Sequence, residues 1–215
     1  MGRLRKNYEY EAMLFADTNY YVANPFQHKG KWNELFKNNN PIQVEIGTGK
    51  GRFIFEKALK HPEINFIAID KFATVLYKLL YKLNTLQEPI KNIKILAFDV
   101  CKIENIFENK EIDKIFLNFS DPWPKQHHER FRLTSNFYTS KFFDILKDKG
   151  FIEFKTDNEN LFNYTINKIR DNKYKVFYAL NDLYNSSYVK NNIQTEYEQK
   201  WLAQGVKIKK VVFSR

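Results

Sequence analysis

The stretch Glu45-Ile46-Gly47-Thr48-Gly49-Lys50-Gly51 sets three glycines at alternate positions behind an acid. Glycines so spaced let the backbone approach a ligand closely and turn tightly into a helix N-terminus. An ordinary strand-to-helix turn is their other common use. The spacing separates two ligand classes. A dinucleotide loop needs G-x-G-x-x-G, with its third glycine where the helix meets the pyrophosphate. Here Arg52 fills that slot and Gly51 comes one residue early. Glu45 is an acid where a dinucleotide binder needs none. A carboxylate there suits a cationic group such as the amino end of S-adenosylmethionine.

Two further acids extend the pattern. Asp70 ends an apolar run about 20 residues past the glycine loop, where a carboxylate can take both ribose hydroxyls. Asp99 ends the next run, where an acid could accept from an adenine amine. Each alone could cap a helix. Together they mark one edge of a sheet, where open α/β folds bind ligands. Further on, Asn118-Phe119-Ser120-Asp121-Pro122-Trp123-Pro124-Lys125 is a loop stiffened by two prolines around a tryptophan. A rigid turn is a good platform for a reactive group, and Asp121 opens it. His127, His128, Arg130 and Arg132 follow as a basic run suited to phosphates. Lys155-Thr156-Asp157-Asn158 reaches the same edge, as does Thr195-Glu196-Tyr197-Glu198, which also matches a helix capping box. No Cys/His spacing supports a metal site, and no Ser-His-Asp set stands out.

The elements that must position these residues are regular. Strands are predicted over 42–46, 65–70, 93–99, 114–119 and 150–155. Helices are predicted over 32–37, 52–60, 73–83 and 135–148. Alternation of this kind implies right-handed crossovers and an α/β fold with a doubly wound, mostly parallel sheet. Strand-like runs at 174–180 and 206–213 frame a loop-rich insertion and predict an antiparallel C-terminal strand pair. Without repeats or low-complexity linkers, 1–215 reads as a single domain. Residues 1–30, with Arg3, Arg5 and Lys6 at the front, read as a basic arm that orders on a partner or on the domain surface.

Lys+Arg of 35 against Asp+Glu of 25 gives a net charge of +10, which favours a polyanionic partner. Cys101 is the only cysteine, which excludes an internal disulfide and fits a reducing cytoplasm. No apolar run approaches the ~18 residues of a spanning helix, and the basic N-terminus lacks a signal peptide's apolar core.

These residues resemble the bacterial tRNA (guanine-N(7)-)-methyltransferases. The resemblance runs from the basic N-terminus to the end, through residues 44–53, Ser120-Asp121-Pro122-Trp123-Pro124-Lys125, Phe154-Lys155-Thr156-Asp157-Asn158 and Thr195-Glu196-Tyr197-Glu198-Gln199-Lys200-Trp201. It implies a Rossmann-like class I methyltransferase fold, S-adenosylmethionine as methyl donor, and N7 of the variable-loop guanosine at position 46 of tRNA as acceptor. It also implies a monomer or homodimer. Cofactor contacts are implied at Glu45, Gly47, Gly49, Asp70, Asp99 and Asp121, with Asp121 the catalytic carboxylate. Substrate contacts are implied at Lys125, Asp157, Thr195, Glu196, Tyr197 and Glu198. RNA contacts are implied at Arg3, Arg5, Lys6, His127, His128, Arg130 and Arg132. The chain departs from the pattern at Gln126, His127 and Phe131, where relatives carry a denser basic run, and at Asp70, where many have Glu. An exocyclic-amine methyltransferase, a nicotinamide-dependent dehydrogenase and a non-catalytic RNA-binding module are the rival readings.

Overall fold

A computed structural model describes residues 6–215. Its centre is a seven-stranded sheet built from β1 (Ile42–Ile46), β2 (Asn65–Asp70), β3 (Ile93–Ala97), β4 (Ile112–Asn118), β5 (Leu146–Thr156), β6 (Lys175–Leu180) and β7 (Lys209–Ser214). The spatial order is β3-β2-β1-β4-β5-β7-β6. β1 to β5 run parallel; β7 is antiparallel to both β5 and β6. This is the predicted sheet. Order reverses between β1 and β4, so the ends of those strands open a crevice there.

Helices α3 (Arg52–Lys60) and α4 (Ala73–Asn84) bury Phe53, Ile54, Leu76 and Leu79 on one face of the sheet with Phe66, Ile95 and Phe116. On the other face lie α2 (Trp32–Phe36), α5 (Asn136–Ile145) and α6 (Glu159–Asp171), whose Trp32, Phe142 and Phe162 pack on Val44, Ile115 and Phe154. Sequence reading assigns no element to α6. Yet Leu161, Phe162, Thr165 and Ile169 sit at helical spacing, and Asn158 caps the first turn by accepting from the Leu161 amide at 2.8 Å.

Several element boundaries differ from expectation by one to four residues, two of them with a clear cause. The third strand stops at Ala97, and Asp99 caps the 3-10 helix Val100–Asn105 instead. The fifth helix ends at Ile145, so 146–148 belong to β5, where Leu146 pairs with Ile112. That burial outweighs the helical pattern. From residue 6 on, the N-terminal segment lies on the domain surface. Helix α1 (Tyr8–Ala16) buries Leu14 and lies on α4, with Tyr10 stacked on Tyr77 at 4.5 Å. The Asn7 amide donates to Thr74 Oγ1 at 3.1 Å.

Candidate active site

Glu45 leaves β1 into the glycine loop and is 1% exposed. Its Oε1 accepts from Asn118 Nδ2 at 2.8 Å, while Oε2 and the Asn118 Oδ1 have no partner among the described residues. Burial pushes the carboxyl up to about 8, against the pull of Asn118 and Lys155. Two buried acceptors without a donor are costly to leave so, and an incoming ammonium would satisfy both. Gly47 and Gly49 hold φ of +77° and +58° with no atom within 4 Å of a would-be Cβ, so the loop presents bare backbone to open space. Gly51 has a different task. A Cβ there would come within 2.6 Å of Leu79, so this glycine lets α3 and α4 close on each other.

Asp70 faces that loop. Its Oδ2 accepts from the Gly49 amide at 3.0 Å and Oδ1 from the Phe72 amide at 2.9 Å. Burial raises its pKa against those two bonds. Asp99 accepts from the Cys101 amide at 3.0 Å, which lowers its pKa. The two acids wall a cavity of about 470 Å³ together with Phe98, Ser120, Asp121 and Tyr138. A second cavity of about 320 Å³ is walled by Glu45, Gly49, Asn118, Thr195, Glu196 and Tyr197. Gly47 and Phe119 line both, so the cavities meet at the end of β1 and β4.

The loop after β4 is strained where the cavities meet. Phe119 and Trp123 hold φ of +52° and +42°, unusual for bulky residues and characteristic of functional turns. Arg132 fixes the loop, donating from Nε to the Pro122 carbonyl at 3.1 Å and from Nη2 to the Trp123 carbonyl at 3.0 Å. Asp121 is left exposed on the rim.

The segment 181–206 folds over the second cavity. Helix α7 (Glu196–Leu202) opens with a full capping box: the Glu198 amide donates to Thr195 Oγ1 at 2.9 Å, and the Thr195 amide donates to Glu198 Oε2 at 3.2 Å. Glu198 is wholly buried. It also accepts from Lys155 Nζ at 2.6 Å, from the Tyr184 hydroxyl at 2.9 Å and from Asn192 Nδ2 at 2.8 Å. Glu196 pairs with Lys82 of α4 at 2.7 Å, and the same ammonium donates to the Lys50 carbonyl at 3.1 Å.

Residues 39–211 match the model of a family described as "Putative methyltransferase". A tRNA (guanine-N(7)-)-methyltransferase of Malacoplasma penetrans is 56% identical over 213 residues, covering 99% of this chain and 97% of that protein. The Ureaplasma urealyticum enzyme of that name is 44% identical (98% and 96% covered), and the Bacillus subtilis enzyme 38% identical (94% of each). The chain belongs to the tRNA (guanine-N(7)-)-methyltransferase family. Among solved structures it is similar to an antibiotic-related methyltransferase (TM-score 0.63, 18% identity, 86% of this chain and 92% of that one). It is also similar to the 16S rRNA methyltransferase KamB (TM-score 0.64, 9% identity, 86% and 92%). These two share the class I methyltransferase fold.

Within this family member, the structure gathers Glu45, Gly47, Gly49, Asp70, Asp99 and Asp121 around the joined cavities, with Thr195, Glu196 and Tyr197 across from them. Others it does not bring there. Glu198, expected to face substrate, is closed off by the donors around it. Arg132, expected on phosphates, turns inward to hold the Pro-Trp-Pro loop. Asp157 is half-buried at the end of β5 and lines neither cavity; burial raises its pKa. Lys125, His127 and Arg130 are exposed and His128 half-exposed on or beside the 3-10 helix Gln126–Phe131. Arg3 and Arg5 lie outside the described residues, and Lys6 is exposed, 3.8 Å from Glu11. Sequence reading missed Asn118 and Lys155 as partners of the acids. Their signal was partial: both are polar side chains that follow an apolar residue at the carboxyl end of a central strand.

Proposed function

We propose that the chain transfers the methyl group of S-adenosylmethionine to N7 of the variable-loop guanosine, position 46, of tRNA. The observation that carries this reading is the pair of unpartnered acceptors, Glu45 Oε2 and Asn118 Oδ1, buried in the wall of the second cavity. An ammonium is the group they fit, and the adjoining cavity offers Asp70 and Asp99 to a ribose and an adenine. The names of the relatives supply the acceptor.

S-adenosylmethionine supplies an electrophilic methyl group on a sulfonium. Guanine N7 bears an in-plane lone pair and no proton, so the chain needs no general base. Its task is alignment, and positioning can contribute several kcal/mol to such a barrier. Gly47 and Gly49 leave the loop backbone free to contact the donor's tail. Asp121, on the rim at the seam, faces the charge that develops on the purine. Tyr197, whose ring lies 5.3 Å from Phe119, closes the acceptor side. Asp157 is assigned to the guanine N1–H and amino group, without Glu198. Lys125, His127, His128 and Arg130 are assigned to RNA. A cytoplasmic setting accords with the single cysteine.

The test is incubation with labelled S-adenosylmethionine and unmodified tRNA. Alkali- and aniline-induced cleavage at position 46 is expected; a stable methyladenosine, or no transfer, overturns the reading.

A further inference from the structure

Alternate residues of β5 face opposite sides of the sheet. Ile152 and Phe154 join the core beside α5 and α6, so Phe151, Glu153 and Lys155 face the side that carries α3. Phe116 and Lys114 of β4 share that face, as Phe116 packs on Phe53 of α3 at 5.0 Å. Lys210 of β7 shares it too, since its ammonium reaches Glu153 at 2.6 Å.

The charges on this face do not balance. Glu153 bridges Lys114 at 2.7 Å and Lys210, and these two hold its carboxyl at about 2 although burial acts to raise it. Lys57 of α3 adds a further ammonium beside the same group. It is half-buried and has no ion-pair partner among the described residues. Burial, and then Lys114, bring its pKa down to about 8. Lys175 of β6 is exposed and likewise unpaired among the described residues. Three ammoniums, Lys114, Lys210 and Lys57, therefore stand beside one carboxylate, and Lys175 adds an unpaired charge on the neighbouring strand β6.

Aromatic rings lie between them. Lys114 sits 4.3 Å from the Phe116 ring and 4.9 Å from that of Phe151. Phe151 meets Phe177 edge-on at 5.8 Å, and Lys175 stands 5.3 Å over Phe177. Phe177 is 49% exposed and Tyr188, stacked on Tyr178 at 4.1 Å, is 43% exposed. The unpaired Lys57 and Lys175 beside the exposed Phe177 and Tyr188 match a sugar–phosphate backbone with accessible bases or riboses. A second copy of this chain would bring like charges face to face, which disfavours self-association here.

From these observations we infer that this lysine–aromatic face is a second RNA contact, which binds the backbone of the substrate tRNA away from the methylated guanosine. The inference rests on tRNA being the substrate. The face runs from Lys155 to Phe151, about 13 Å down the sheet. Lys155 at its upper end is bonded to Glu198 of the segment that walls the acceptor cavity, and the face is separate from the segment after Lys125.

The test is the double variant K57Q/K175Q, in which neither residue lines the methyl-transfer cavities. Binding of full-length unmodified tRNA is measured by filter retention over a salt series, with S-adenosylhomocysteine affinity measured by calorimetry. Affinity for tRNA is expected to fall about ten-fold near 0.1 M salt, and the slope of log K against log salt to become shallower by about 1.8. S-adenosylhomocysteine affinity and Tm are expected to stay as in the parent. K57R/K175R is expected to restore tRNA binding. Unchanged affinity and slope would overturn the proposal. So would sedimentation showing a parent dimer that K57Q/K175Q separates, since the face would then serve a second copy. Mapping of the methylated base is a separate readout: a base other than position 46 would sink the acceptor assignment and leave the binding result standing.

Discussion

Burial holds the Glu45 carboxyl at about 8, so without an ammonium beside it the group is protonated over most of the physiological range. An unfolded glutamate ionises near 4.5. The folded chain therefore binds one more proton between those values. The stability this group contributes is complete below about pH 4.5, falls by about 1.4 kcal/mol per unit, and is lost as pH rises through 8. E45Q cannot titrate, so its Tm should gain on the parent as pH rises from 5 to 8. Cofactor binding reverses the logic, because an ammonium needs the carboxylate. S-adenosylhomocysteine should bind more tightly at pH 8 than at pH 6 and release a proton, read by calorimetry in buffers of different ionisation enthalpy. E45Q should lose that dependence. A parent affinity indifferent to pH would remove Glu45 from the cofactor's amino end. Asp121 behaves differently because it is exposed and supports no core. D121A should keep the parental Tm and lose roughly 10- to 150-fold in kcat, the worth of one charge-assisted contact. Wild-type turnover in D121A would refute its role.

At the scale of elements, α7 is fixed less by its own seven residues than by one buried pair. Lys155 and Glu198 are both fully buried, and Lys155 also donates to the Asn192 side chain and the Ile193 carbonyl at 3.0 Å each. One ammonium at the end of β5 thus anchors the segment that forms the acceptor wall. K155M leaves a buried carboxylate without its cation, which costs about 3–5 kcal/mol. A Tm lower by roughly 10 °C is expected, with new proteolytic cleavage within 181–206. K155M/E198L should recover much of the Tm, since removing both charges avoids the uncompensated one. A single variant as stable as the parent would show that the pair does not hold the insertion. This pair also marks what the sequence could and could not disclose. β1, β2 and α3 were legible to the residue because period and punctuation agree there. The capping box was legible in Thr195 and Glu198. That Glu198 meets Lys155, across 43 residues, was not, because pairing of that kind is a product of topology. α6 was missed although its apolar residues fall four apart, because Asn163, Tyr164 and Asn167 dilute the stripe. Arg132 was read as a phosphate ligand from its charge alone. Only the fold reveals that its donors meet the Pro122 and Trp123 carbonyls.

For the whole molecule, the sheet ties the parts to one another. Its two faces carry separate apolar clusters, yet β2 and β4 contribute side chains to both: Ile67 and Ile115 to one, Phe66, Ala68 and Phe116 to the other. α1 is anchored through Leu14 to the second cluster, and the insertion through Ile193. Neither cluster can be exposed without uncovering strands that the other needs. We therefore expect residues 1–215 to unfold as a single domain, in one calorimetric transition whose van't Hoff and calorimetric enthalpies agree. The candidate site draws on the ends of β1, β2 and β4 and on α7, so a ligand there stabilises the whole transition. At 100 times its Kd, S-adenosylhomocysteine should add about 2.7 kcal/mol. For a chain of this length that moves Tm by about 5–10 °C. NADH should leave Tm in place, because Arg52 stands where a dinucleotide loop needs glycine. Two resolved transitions, or a ligand that moves only one of them, would divide the molecule. A shift with NADH in place of S-adenosylhomocysteine would restore the dinucleotide reading of the glycine loop.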